Sequence, residues 1–128
     1  MCIRDSWETV ASNRAGMRYY SEISGQPSPS FEALLKLALS GDAAASQAID
    51  RMCAALGRGM HMIASALAPS EIVVVGDITT IWRLAGPRIE QEMRRIPMVR
   101  TPRLRPAQDG NKARLRSAVA LVMHDNQV

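Results

Sequence analysis

Between Ala43 and Leu67, apolar residues recur at three- and four-residue steps: Ile49, Met52, Cys53, Leu56, Met60, Ile63 and Leu67. That spacing lines one face of a helix and predicts a long one over 43–67. Ala43, Ala44, Ala45, Gly57 and Gly59 are small, so a neighbouring element or a ligand can approach closely. A glycine in a helix interior costs about 1 kcal/mol against alanine, so something outside this helix has to offset it. Upstream, a helix is predicted over 7–22, closed by the connector "SGQPSPS", and a second in "FEALLKLALSG". Ser30 is placed to cap that second helix, Glu32 and Lys36 stand at i,i+4, Gly41 ends it and Asp42 caps the long helix.

Downstream, Pro69 stops the long helix, and "EIVVV" is a β-branched run without alternation, as in a strand buried on both faces. "GDITT" turns the chain into a helix over "TIWRLAGPRIEQEMRRI", in which Glu90 and Arg94 pair and Gly86-Pro87 is expected to bend or interrupt the axis. "MVRTPRLRPA" predicts a second strand, with Pro102 marking an edge or a bulge. "DGNKARLRSAVALVMHD" predicts a closing helix. The expected order is α-α-α-β-α-β-α, an α/β class that is mostly helical. A β-α-β unit implies parallel strands and a right-handed crossover. Two strands do not make a stable parallel sheet, so the pattern suggests part of a larger α/β unit.

The 128 residues suffice for one domain with a modest core. Apolar residues make up 47% and aromatics 4%, so Ala, Leu, Ile, Val and Met must build that core. No apolar run is long enough to span a bilayer, and a cytoplasmic protein without membrane contact is expected. Cys2 and Cys53 have no C-x-x-C partner, and Cys53 falls on the apolar helix face as an inert thiol. Charge is uneven: residues 1–93 carry 8 basic and 10 acidic side chains, residues 94–128 carry 8 and 2.

Several short patterns could carry chemistry. Asp5-Ser6-Trp7-Glu8 has the spacing of a capping box with Asp in place of Ser or Thr. "VVVGDITT" puts a glycine turn and a helix start at the carboxyl edge of a strand, where open α/β sheets bind ligands. Gly76 is a single glycine, however, and Asp77 puts a carboxylate where a phosphate would approach. A tight turn with Asp77 or Thr79 capping the helix is the preferred reading of the residues. The basic residues Arg94 to Arg116 lack interleaved aromatics, so a solvated surface is favoured over a nucleic-acid interface. His61 and His124 are solitary, no metal is expected in this chain, and the methionines around His61 are assigned to the core.

Taken in order, "WETVASNRAGMRYY", "ALAPSEIVVVGDIT", "GPRIEQEM" and "DGNKARLRSAVALV" resemble the C-terminal half of the ROK family of bacterial sugar kinases and sugar-responsive repressors. The resemblance implies part of a sugar kinase/Hsp70/actin-like (ribonuclease H-like) domain. In that family a C-x-C-G-x-x-G-C-x-E stretch holds a structural zinc, and its glutamate contacts sugar hydroxyls. Glu8 matches that glutamate and becomes the sugar-contacting candidate. Ser6 and Asp5 replace the last cysteine and the glycine, which puts zinc binding in doubt, and residues 1–6 look like a non-native start.

The family's D-x-G-x-T phosphate loop and E-x-G-H motif do not occur in residues 1–128. The resemblance therefore implies a C-terminal fragment of a ROK domain without its amino-terminal lobe or a winged helix-turn-helix. Kinases of the family carry a Gly-Gly-Gly-type turn after the strand and A-G-L-x-G-A in the closing helix. Here Val75-Gly76-Asp77 and Ala113-Arg114-Leu115-Arg116-Ser117-Ala118 stand instead, which argues against ATP. The expectation is a sugar-responsive transcriptional regulator, homodimeric in the parent, touching DNA only through its missing N-terminal domain. A glucokinase-like sugar kinase half is the alternative, and a basic nucleic-acid-binding module a second one.

Overall fold

The computed structural model describes residues 10–27, 30–107 and 121–124. Helix α1 spans Asn13–Ser24, α2 Phe31–Leu39 and α3 Ala43–Leu67. Strand β1 (Glu71–Val74) leads through a 3-10 turn, Asp77–Ile81, into α4 (Trp82–Met93); β2 (Arg103–Pro106) and β3 (Leu121–His124) follow. Ser12, Ser30 and Asp42 cap the three N-terminal helices, each side-chain oxygen accepting from the backbone N–H three residues on. Val10 and Ala11 are already helical, so Ser12 interrupts the helix expected over 7–22. The Asp5–Glu8 box lies outside the described residues.

The long helix matches its expected limits, 43–67. Met52, Cys53, Leu56 and Met60 are fully buried and meet Leu34 of α2, Ile72 and Val74 of β1, and Ile89 and Met93 of α4 in one core. The apolar face gives out toward the helix end: Met62 is 55% and Leu67 61% exposed, so Met62 is not a core residue. The need for small residues is explained at Gly57. A Cβ there would sit 2.6 Å from the Ile89 carbonyl oxygen and 2.7 Å from Glu92 Cβ. The close approach is thus made by α4, whose backbone packs directly on α3.

Strand β1 is the centre of a three-stranded sheet ordered β2-β1-β3. It pairs parallel with β2, Glu71 opposite Arg103 and Val74 opposite Pro106, as the β-α-β pattern requires. Ile72, Val73 and Val74 are buried, in keeping with coverage on both faces. Pro102 immediately precedes the edge strand β2. Leu121–His124 corrects the closing-helix expectation in that stretch: it is a strand, antiparallel to β1. An apolar run such as "AVALVM" suits either element, and an open edge of β1 decides for the strand. The rest of the expected helix, residues 109–120 and Asp125, lies outside the described residues.

Two local expectations are also corrected. Helix α4 runs through Pro87 without interruption. Neither Asp77 nor Thr79 caps a helix through its side chain. Instead the Thr79 hydroxyl donates back to the Gly76 carbonyl at 2.7 Å, and the Thr80 hydroxyl to the Asp77 carbonyl at 2.8 Å. These bonds tighten the turn from within.

Candidate functional site

The carboxyl end of β1 meets the start of α1. Gly76 there has φ 117 and ψ 178, a region open in practice to glycine alone. A side chain at this position would be strained, so the sharp exit of β1 depends on Gly76. Asp77 follows on the exposed side of the turn. Asn13, the first residue of α1, reaches it across 64 positions of sequence: its Nδ2 donates to Asp77 Oδ2 at 3.4 Å. The Asn13 Oδ1 is buried and has no partner among the described residues.

The chain leading into α1 is fixed from the other side by Tyr19. This ring is buried, and its hydroxyl donates to the Val10 carbonyl at 2.7 Å. Arg51 of α3 lies over the ring, 4.2 Å from its centroid, and also pairs with Glu22 at 3.5 Å. Thus residues 10–13 are held by Tyr19 on one side and contact the β1 turn on the other. Glu8 lies outside the described residues, two positions before Val10. Of the sequence-derived site residues, Gly76 and Asp77 sit together at the edge of β1. Sequence reasoning misses Asn13, because an Asn in a helix's first turn is unremarkable until the fold brings Asp77 beside it.

The chemistry of this edge is that of hydrogen-bond acceptors. An exposed carboxylate at the turn repels a phosphate at contact distance by about 1 kcal/mol in water and several at protein-like dielectric. It accepts well from hydroxyl groups.

A second charged cluster lies where α3 crosses α4. Glu92 is only 8% exposed and receives Arg88 and Arg95 at 3.3 Å each and Arg58 at 3.8 Å. Burial pushes its carboxyl up, but the hydrogen bonds from Arg95 and Arg88 outweigh that and hold it below the usual carboxylate range. Arg88 is shared with Asp50 of α3 at 2.5 Å. Beside it, burial first and the Asp50 charge second push the Cys53 thiol up to about 12, the opposite of an activated nucleophile. His61, solitary in the sequence, meets the Met93 carbonyl through Nδ1 at 3.1 Å and so closes the end of α4.

The basic stretch is largely neutralised where it is described. Arg94 pairs with Glu90 at 3.0 Å, Arg95 with Glu92, and Arg105 with Glu71 of the neighbouring strand. Arg100 and Arg103 are exposed, while Lys112, Arg114 and Arg116 lie outside the described residues. Among the described residues no group of three His, Cys, Asp or Glu side chains could hold a metal ion, and no helix is long and apolar enough to cross a membrane.

This architecture is similar to that of two solved proteins. A ROK family glucokinase from Streptomyces griseus, in complex with glucose and AMPPNP, superposes with a TM-score of 0.71 at 23% identity. The match covers 83% of this chain and 40% of that one. A ROK family protein from Streptococcus pneumoniae, in complex with sucrose, gives a TM-score of 0.67 at 22% identity, over 82% of this chain and 39% of that one. The chain therefore spans about 40% of the length of these neighbours and shares their actin-like fold over that part. No curated protein sequence matches it. The ROK family model matches residues 2–125, nearly the whole chain, and on that match the chain belongs to the ROK family.

Proposed function

We propose that the chain is the effector-binding, C-terminal part of a ROK-family transcriptional regulator that responds to a sugar. The observation that carries this reading is Asp77: an exposed carboxylate, contacted by Asn13, at the turn where the kinases of the family place glycines. It offers acceptors to hydroxyl groups and opposes a triphosphate. The two ROK neighbours, one holding glucose and the other sucrose, support a carbohydrate as the ligand class. Glu8 is the residue proposed to accept from sugar hydroxyls. In the whole protein, a bound sugar would shift the population of dimers competent for DNA, with DNA contact made by a winged helix-turn-helix outside this chain. Zinc is not assigned to this chain, since Ser6 and Asp5 replace two positions of the family's zinc motif.

A second reading, half of an ATP-dependent sugar kinase, draws on the likeness to a glucokinase solved with AMPPNP. The nucleic-acid module is disfavoured, because Arg94, Arg95 and Arg105 are each met by a carboxylate. One experiment separates the first two. The whole protein containing this chain is titrated calorimetrically with glucose and with Mg-ATP, and assayed for hexose phosphorylation. The regulator reading expects hexose binding without ATP turnover; phosphorylation of the hexose overturns it. Glu8→Gln is expected to weaken hexose binding about tenfold or more, as for loss of a hydrogen bond to a charged group.

A further inference from the structure

We infer that Asn13 is a positioning residue. It ties the Asp77 carboxylate to the start of α1 and so couples the turn after β1 to that helix. The inference rests on the sugar-responsive reading for its functional consequence, but not for the tether itself. The amide of Asn13 bridges the two elements, Nδ2 to Asp77 Oδ2 at 3.4 Å. The other end of that amide, Oδ1, is buried without a partner among the described residues. Among the described residues nothing on that side selects the orientation of the amide; the carboxylate does, because the flipped amide would set oxygen against oxygen. Buried acceptors without partners are uncommon, and one that persists asks for a reason in function or strain. Here the reason is that the amide is committed to Asp77.

The rest of the geometry makes this contact a coupling rather than a decoration. Tyr19 holds the Val10 carbonyl, so residues 10–13 move with α1. Asp77 opens a turn whose internal bonds, from Thr79 N–H and Oγ1 to the Gly76 carbonyl, make it move as a unit. A ligand that engages Asp77 therefore acts on the start of α1 through one short connection.

The first residue of a helix supplies a sharp discriminator. There an acidic side chain is favoured by the helix dipole, so a merely structural role predicts that Asn13→Asp is neutral or beneficial. A positioning role predicts the reverse order, because an Asp at 13 faces Asp77 with like charge and no donor. In the whole protein, hydrogen exchange of amides 77–81 and glucose affinity are measured for wild type, Asn13→Ala, Asn13→Asp, Asp77→Ala and the Asn13→Ala/Asp77→Ala pair. The inference expects threefold to tenfold faster exchange in Asn13→Ala and faster still in Asn13→Asp. It expects glucose affinity to fall about threefold in each Ala variant and no further in the pair, the mark of one shared interaction. Unchanged exchange in Asn13→Asp overturns the tether, and additive losses in the pair overturn the coupling. If wild type and Glu8→Gln bind glucose equally, the sugar reading falls, while the exchange rates still decide the tether.

Discussion

The α3–α4 crossing and the turn after β1 are built on opposite terms. At the crossing, Gly57 lets the Ile89 carbonyl approach, Glu92 gathers three arginines, and Cys53 is sealed beneath Arg88 and Asp50. Several independent constraints agree there, and the groups they converge on, Gly57, Cys53 and Glu92, are buried. At the turn, one exposed carboxylate is met by one amide at 3.4 Å. The difference teaches where each kind of residue belongs. A scaffold is specified by redundancy, whereas a ligand edge keeps groups whose partners can be exchanged for a ligand's.

Substitutions can break that contrast. The largest effect is expected at Gly57→Ala, whose new methyl meets backbone and cannot be relieved by a rotamer change. Overpacking of this kind costs about 3 kcal/mol, to be read as a lower urea midpoint at unchanged m-value. If the midpoint stays put, α3 and α4 are not held at this distance. Glu92→Ala comes next, with a loss of about 2 kcal/mol, because three guanidinium groups lose their common partner while staying partly solvated. Since the Glu92 carboxyl is held below its ordinary value, its contribution is present above about pH 4.5 and disappears as pH falls through the folded value. A Glu92→Ala chain should therefore show a flatter loss of stability below that pH than wild type.

Cys53 sharpens the same side of the comparison. Its folded value of about 12 exceeds the unfolded 9.0, so folding favours the protonated thiol. Stability is complete below pH 9.0 and falls as pH rises toward about 12, because the unfolded chain ionises first. A chromogenic disulfide reagent at pH 8 should leave Cys53 unmodified until denaturant is added; rapid labelling of the folded chain would contradict its burial. The smallest stability effect is expected at Asp77→Ala, within about 0.5 kcal/mol, as for an exposed surface change. A large loss there would mean that the turn is scaffold after all.

Much of the scaffold side is legible in the order of residues. The 43–67 helix, the caps at Ser30 and Asp42, and the buried β1 follow from spacing and from the hydrogen-bonding needs of helix ends. The continuity of α4 through Pro87 is not, since breaking depends on what supports the helix from outside. Nor is β3, because "AVALVM" satisfies two periodicities and only the vacant edge of β1 chooses between them. Gly76 and Asp77 are visible as a turn with an awkward charge, and the structure keeps both at the edge of β1.

By itself, the sequence determined the family and the order of elements as far as β2, though not β3, because local periodicity, capping and motif order are written in neighbouring residues. Tertiary structure alone decided that Gly57 receives α4 and that Glu92 is shared by Arg58, Arg88 and Arg95. It alone brought Asn13 to Asp77 across 64 residues. Such contacts depend on distances between elements, and no local pattern encodes a distance until the chain has packed.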